Sequence, residues 1–213
     1  MIVKISNIKK RFKNIEISPP NFTVNKGEFL GLFGESGTGK TTIGKIILGL
    51  FTPDKGTVKI AGEDITKFSN RQRDRHRKKV GISMVFQHPD ASLNPGMTVK
   101  RSMQEIKKNV GFNEIEKYFD EMNLSREKLY MYPYQLSGGE MRRIALIQAL
   151  AINPKILIAD ELFTGVDSLV RNSMANLLKK KQEEEKLTLI LISHHKDILA
   201  YLCSTNIEIK RSC

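Results

Sequence analysis

Four short apolar runs in the chain have the length of buried β-strands. Continuous apolar runs of this length are typical of strands covered on both faces, as in the parallel sheets of α/β proteins. Segments with helical spacing or helix-start signals follow the runs, so the order strand, loop and helix recurs. The pattern therefore predicts a mostly parallel α/β core. The runs are Glu28–Phe33, Gly81–Phe86, Ile156–Ala159 and Leu187–Ile192.

Three other regions depart from this pattern. Residues 2–8 alternate loosely between apolar and polar positions, which indicates an edge strand, and Thr57–Ala61 indicates a further strand. Residues 98–132 are rich in helix formers, mixed in charge and free of strand-like runs. We therefore expect additional strands outside the parallel core and an inserted helical segment.

A glycine-rich stretch that matches G-x-x-x-x-G-K-S/T lies between the first buried run and an apolar helical face at Ile43–Leu50. Its glycines let successive backbone N–H groups point at one anion, its lysine adds a charge for the outer phosphates, and the next hydroxyl can ligate Mg²⁺. A strand before the loop and a helix N-terminus after it are the setting in which phosphate binds. The predicted phosphate loop consists of Gly34, Glu35, Ser36, Gly37, Thr38, Gly39, Lys40, Thr41 and Thr42.

Polar residues follow the ends of the three later runs. Gln87 is either a group that reaches magnesium or an attacking water, or an ordinary loop residue. Asp160 and Glu161 would be costly to bury without a cation, so we expect Asp160 to hold Mg²⁺ through water and Glu161 to orient or deprotonate a water. His194 is either a group that donates a hydrogen bond to a γ-phosphate or an ordinary loop histidine. Since the carboxyl ends of parallel strands meet at one edge of a sheet, these residues and the phosphate loop predict one nucleotide site.

The segment Tyr134–Arg143 contains a helix start of unusual composition. Ser137 and Glu140 form a capping box, and apolar residues at helical spacing follow. Gly138 and Gly139 in the first turn are costly for a helix. They are explained if the backbone must approach another group closely, and a helix N-terminus attracts phosphate.

Composition and charge bound the class of protein. With 213 residues, 40% hydrophobic content and no apolar run near 18 residues, the chain is expected to be a globular protein without a spanning helix. Met1–Ile5 lacks the layout of a signal peptide, and Cys203 and Cys213 have no metal-ligand spacing, which together indicate the cytosol. Much of the net charge of +12 lies in the run Lys67–Lys79. This run either contacts nucleic acid or anionic lipid headgroups or is a solvated helix, and the absence of Phe, Tyr and Trp among the basic residues from Arg71 to Lys79 favours the helix.

Taken in order, these segments resemble the ATP-binding cassette (ABC) ATPases, and the resemblance covers nearly the whole chain. The most specific piece is the signature Leu136, Ser137, Gly138, Gly139 and Glu140, because GTPases and small-molecule kinases share only the phosphate loop. Gln87, the pair Asp160-Glu161, Asp167 and His194 match the family's glutamine loop, acidic strand end, aspartate loop and switch histidine. The resemblance implies a P-loop NTPase with a RecA-like parallel core, an antiparallel β edge and an inserted helical subdomain.

The resemblance also implies how the site works. ATP-binding cassettes form head-to-tail dimers with two ATP molecules between the subunits, and the signature of one subunit caps the γ-phosphate held by the other. Phe12, whose spacing alone favours core packing, falls where the family places an aromatic ring against adenine. Glu161 becomes the catalytic base and His194 steadies the γ-phosphate. Gln87 links magnesium to the partner domain, and the Mg²⁺ ligands are Thr41, Gln87 and Asp160.

Within the family, Phe86–Thr98 is similar to the peptide and nickel importer branch. The chain departs from the family at Leu162, where proline is usual, and at Gly165-Val166-Asp167, where alanine-leucine-aspartate is usual. Both departures bear on coupling between the two sites. The sequence given ends at Cys213 without the C-terminal extension of many peptide importers, which favours nickel or a metal chelate as the cargo.

We therefore expect an ATPase subunit of an importer, peripheral on the cytoplasmic face of the membrane. Its expected partners are a second ABC ATPase in a homo- or heterodimer, membrane permease subunits and, indirectly, an extracytoplasmic solute-binding protein. The alternative is a soluble family member that acts on nucleic acid or ribosomes, but the chain has neither tandem cassettes nor a coiled-coil insertion. We expect one nucleotide-binding domain over residues 1–213. Its RecA-like and β core spans about 1–90 and 153–213, and its helical subdomain about 91–152.

Overall fold

The computed structural model describes residues 1–12, 15–106 and 112–211, so Cys213 and residues 107–111 of the predicted helical segment lie outside the described residues. Within these ranges the chain is an α/β protein, as predicted. The strands are β1 (Val3–Phe12), β2 (Ile15–Ile17), β3 (Phe22–Val24), β4 (Phe29–Phe33), β5 (Lys55–Ile60), β6 (Glu63–Asp64), β7 (Ile82–Val85), β8 (Ile156–Asp160), β9 (Thr188–Ile192) and β10 (Thr205–Glu208). The helices are α1 (Lys40–Ile47), α2 (Asn70–Val80), α3 (Val99–Ile106), α4 (Phe112–Glu121), α5 (Gly138–Ala151), α6 (Ser168–Glu185) and α7 (Lys196–Leu202).

The four predicted buried runs form adjacent strands of one parallel sheet, whose order is β10-β4-β9-β8-β7. Their register places equivalent ends side by side: Asp160 is opposite Ile192, and Leu32 is opposite the same residue on the other side. The segments that leave the carboxyl ends of β4, β9, β8 and β7 therefore emerge along one edge.

Alternate residues of the central strands face two separate cores. Ile156 and Ile158 of β8 belong to a cluster with α1 and the antiparallel strands, whereas Leu157 and Ala159 belong to a cluster with α5, α6 and α7. Every residue of β8 and β9 is buried. Coverage on both faces explains why these strands are continuous apolar runs.

A second, antiparallel sheet contains β2, β1, β5 and β6 in that order, with β3 paired to β1. The prediction of an edge strand over residues 2–8 is wrong, because Val3–Ile5 pairs with β3 on one side and with β5 on the other. The alternation was correct, but β5 is remote from β1 in sequence, and β3 follows β1 only after β2.

The predicted helical segment contains α3, α4 and a 3₁₀ turn at Arg126–Tyr130, as far as it is described. Met103, Phe119 and Met122 from this segment share one buried cluster with Leu157 of the sheet. The helical segment packs against α5, which in turn contacts β7, and its division from the rest as a subdomain stays a prediction.

The basic run forms α2, which begins with a Ser69–Gln72 capping box. Several of its basic side chains form hydrogen bonds or ion pairs within the chain. Arg73 is buried and donates to Thr52 Oγ1, while Lys79 pairs with Glu63 at 2.8 Å. This favours the solvated helix over a dedicated contact surface. Among the helices of the described ranges, none has the length and hydrophobicity needed to cross a bilayer.

Candidate functional site

A cavity of about 820 Å³ lies at the carboxyl edge of the parallel sheet. Its wall brings together the ends of β4, β7, β8 and β9, as the sequence predicted. The predicted residues that line it are Phe12, Gly34, Glu35, Ser36, Gly37, Gly39, Lys40, Thr41, Thr42, Gln87, Asp160, Glu161 and His194. Thr38, also predicted, is buried instead, and its hydroxyl donates to the carbonyl of Glu35 at 3.0 Å.

The Lys40 ammonium binds two backbone carbonyls of the phosphate loop. Lys40 is 8% exposed, and its Nζ donates to the carbonyls of Gly34 and Glu35 at 2.8 Å each. Gly39, the residue before α1, has φ +96°, and a Cβ there would lie 2.6 Å from the Ile17 side chain. Only glycine fits such a position without strain. The result is a loop of backbone N–H groups and one cation at a helix N-terminus, which can hold a polyphosphate.

One part of the cavity wall is apolar. Phe12, Ile15 and Ile17 line it. Phe12 is 39% exposed, and its ring centroid lies 5.7 Å from that of Phe51 at an interplanar angle of 58°. One side of the ring is thus packed, as a core residue would be, while exposed ring surface remains available for stacking on a base.

Asp160 is a buried carboxylate without a hydrogen-bond partner. The residue is 1% exposed, and neither carboxylate oxygen has a partner of adequate geometry within the described residues. Burial raises the pKa of Asp160, and the nearby Thr41 hydroxyl opposes that shift only in part. A buried carboxylate in this state is stabilised by a cation.

Glu161 follows directly and is fixed by three neighbours. Its backbone has φ +53°, a left-handed conformation costing about 1–2 kcal/mol for a non-glycine residue. Its N–H donates to the carbonyl of Ile192 at 2.9 Å. Thr164 donates its hydroxyl to Glu161 Oε2 at 2.9 Å, and His194 Nδ1 lies 2.9 Å from the same oxygen. Such strain at a carboxylate that lines a cavity is typical of a functional site.

Three further polar residues in the wall were missed from the sequence: His88, Thr164 and Arg142. Thr164 lies one short turn after Glu161 in the chain, and that spacing was the available signal. Arg142 comes from α5, and its approach to the strand ends depends on helix packing that no local pattern reveals.

The signature Leu136–Glu140 does not line this cavity. It forms the start of α5, where Ser137 accepts from the Glu140 N–H and Glu140 accepts from the Ser137 N–H at 2.8 Å, which confirms the capping box. The Ser137 N–H and Lys128 hold the pKa of Glu140 below its usual value. A Cβ built on Gly139 would meet no atom within 4 Å among the described residues. The fold itself therefore leaves room for a side chain at Gly139, which is consistent with an approach from outside the chain.

Asp167 has a clear local function. It is the N-cap of α6 and accepts from the Val170 N–H at 3.0 Å. Its predicted place at a dimer contact stays a prediction.

A protein-family model described as "ABC transporter" matches residues 17–164, more than half of the chain. The chain is similar to the oligopeptide transport ATP-binding protein OppF of Streptococcus mutans, at 35% identity over 94% of this chain and 69% of that protein. It is also similar to the oligopeptide transport ATP-binding protein AppF of Bacillus subtilis, at 35% identity over 85% of this chain and 57% of that protein. The chain thus spans between 57% and 69% of the length of these relatives.

Solved structures show the same fold. A dimeric ATP-binding cassette in a post-hydrolysis state, bound to ADP and Pi, has a TM-score of 0.86 and 27% identity, covering 99% of this chain and 98% of that one. A cassette from Clostridium perfringens that is part of an ABC transporter complex has a TM-score of 0.82 at 23% identity, covering 98% and 84%, and shows the fold alone. These neighbours confirm the predicted P-loop NTPase fold.

Proposed function

The chain belongs to the ABC transporter family, and we propose that it is the ATP-hydrolysing subunit of an importer. The observation that carries the proposal is the convergence of four strand ends on one cavity that offers a phosphate loop, an unpartnered buried carboxylate and an oriented glutamate. A phosphate-binding protein without catalysis would need only the first of these.

In this proposal ATP lies along the cavity. Phe12 stacks on the adenine, and the backbone N–H groups of the phosphate loop with Lys40 hold the phosphates. Glu161 is placed to accept a proton from the attacking water, and the hydroxyl of Thr164 keeps one of its oxygens in place. His194, next to Glu161, is within reach of the outer phosphate. The glutamine Gln87 orients the water or the metal from the end of β7.

The site also fits Mg²⁺, which the nucleotide would bring. Asp160 has both oxygens buried and unpartnered, and Thr41 and Gln87 add neutral oxygen ligands nearby. No group of three or more His, Cys, Asp or Glu side chains that could hold a metal ion by itself occurs in the described part of the chain, so the metal would depend on the phosphates for part of its shell. When bound, Mg²⁺ neutralises phosphate charge.

We further propose that the complete site needs a second ABC subunit. The signature Leu136–Glu140 does not line the cavity of its own chain, and the space at Gly139 allows another molecule to approach. A head-to-tail dimer would place this signature against the phosphate held by the partner. The second subunit is either another copy of this chain or a related ABC ATPase.

Oligopeptides are the cargo we propose, because the curated relatives are named for oligopeptide transport. Nickel or a metal chelate, favoured by the sequence argument, gains no support from these relatives. Permease subunits would provide the path through the membrane, a solute-binding protein would deliver the cargo, and the chain would sit at the cytoplasmic face. The comparisons give no support to the alternative role on nucleic acid or ribosomes.

A complementation experiment tests the composite site. Lys40→Ala removes the phosphate-loop cation, and Gly139→Asp puts a carboxylate on the signature, where the fold has room for it. Each variant alone should hydrolyse ATP poorly. An equimolar mixture should regain activity, because mixed dimers contain one site with an intact loop and an intact signature.

No recovery in the mixture, with both variants folded and the wild type active, would contradict a site built from two subunits. Uptake of labelled oligopeptides and of ⁶³Ni²⁺ by cells that lack this chain separates the two cargo classes.

A further inference from the structure

Arg142 is a cation in the wall of the nucleotide cavity for which neither the sequence argument nor the family resemblance has a function. It is the fifth residue of α5, counted from Gly138, and its side chain shares the wall with Glu161, Thr164 and Gln87. Lys40 and the phosphate loop form another part of the same wall. Arg142 is therefore grouped with the residues expected to face the outer phosphate.

The Nε of Arg142 has no partner within the described ranges. It is buried and makes no hydrogen bond there. The adjacent Arg143 is different, since it donates to the carbonyls of Gly139, Met122 and Asn123. A buried donor without an acceptor is costly, and a native structure that keeps one needs an explanation.

The loop after Glu161 leaves space for this side chain. Gly165 has φ +69°, and a Cβ at this position would lie 3.3 Å from Arg142 Nη1. A larger residue would be strained by the backbone and would press on the guanidinium. The glycine, one of the departures from the usual family sequence, thus accommodates Arg142 at the edge of the cavity.

We propose that Arg142 binds the γ-phosphoryl group of the ATP held by its own subunit and retains contact with the phosphate that is released. This rests on the proposed ATPase function. In the reaction, the water oxygen bonds to the γ-phosphorus and the bond from that phosphorus to the β–γ bridging oxygen breaks. ADP leaves with the electron pair, and a water proton passes to Glu161. Arg142 exchanges neither proton nor electron; its planar donors bind the equatorial oxygens, whose charge must be stabilised.

The test compares Arg142→Gln, Arg142→Lys and Arg71→Gln in the full chain. Arg71 is an exposed arginine of α2, so its glutamine variant removes the same charge away from the cavity. Three quantities are measured: kcat and KM for ATP, the Kd of ADP, and inhibition by orthovanadate in the presence of ADP, which mimics the phosphoryl group in transfer. Thermal unfolding checks the fold of each variant.

Arg142→Gln should lower kcat about tenfold, less than the loss from removing a fully enclosed oxyanion donor, because Arg142 is partly exposed. Vanadate inhibition should weaken by a similar factor, while the Kd of ADP stays within about twofold. Arg142→Lys should recover part of kcat, since it keeps the charge without the fork. Arg71→Gln should match the wild type.

Wild-type kcat and vanadate inhibition in a folded Arg142→Gln protein would overturn the inference and leave the proposed function intact. Equal losses of ADP and ATP affinity together with a lower unfolding temperature would also overturn it, in favour of a structural role. A wild-type chain that hydrolyses no ATP under any condition would refute the proposed function itself.

Discussion

Replacement of Lys40 by alanine should weaken the binding of ATP without unfolding the protein. In the structure the ammonium makes two hydrogen bonds of 2.8 Å, to the carbonyls of Gly34 and Glu35. A hydrogen bond to a charged group contributes about 1.5–3 kcal/mol. Loss of one such interaction with phosphate predicts a Kd for ATP raised about 10- to 150-fold, at about 1.4 kcal/mol per factor of ten.

The loss of the two bonds within the loop acts in the same direction, because ATP must then order a loop that Lys40 no longer organises. The fold should survive, since Gly34 and Glu35 line a cavity that water can enter. Titration calorimetry with ATP on the folded variant measures the effect. Lys59→Ala, which removes the same charge from an exposed position on β5, is the matched control. Unchanged ATP affinity in Lys40→Ala would refute the assignment of this loop as the phosphate site.

Two further predictions concern the acidic strand end. Thr164→Val keeps the side-chain shape but removes the hydroxyl that donates to Glu161. We therefore expect kcat to fall about tenfold, which is part of the effect of general-base catalysis, and we expect Thr164→Ser to restore it. A valine variant as active as the serine variant would contradict the role of Thr164 in positioning Glu161. Burial raises the pKa of Asp160, so the folded protein binds that proton more tightly than the unfolded chain, and stability is lost as the pH rises through the folded pKa. With a chelator present and no nucleotide, Asp160→Asn should therefore unfold at a higher temperature than the wild type at pH 7, and the difference should be smaller near pH 4. A variant less stable than the wild type at pH 7 would contradict the conclusion that the Asp160 carboxylate is buried without a partner.

Periodicity predicted the parallel sheet well because each buried strand is covered on both faces, and a continuous apolar run reports that directly. It predicted the position of Val3–Phe12 poorly, since whether a strand is central or at an edge depends on partners distant in sequence. The β5 strand, which closes the other side of β1, is more than forty residues away.

The site shows the same division. Gln87, Asp160, Glu161 and His194 were predictable because each lies at or just after the end of a strand, and strand ends meet by topology. Arg142 was not, because it belongs to helix α5 and reaches the cavity only through the packing of that helix. The function of the signature could not be predicted from one folded chain. The chain contains both halves of the proposed site, but its own fold does not bring them together.

The substitution Glu161→Gln tests most directly whether Glu161 is the base of a site that two subunits form. The amide has nearly the same shape and still accepts a hydrogen bond from Thr164, but it is not a base. Turnover should fall at least about 100-fold, while ATP still binds and holds the chain as a dimer that light scattering detects after size-exclusion chromatography. Hydrolysis at the wild-type rate would contradict the assignment of the base, and a monomer saturated with ATP would contradict the two-subunit site.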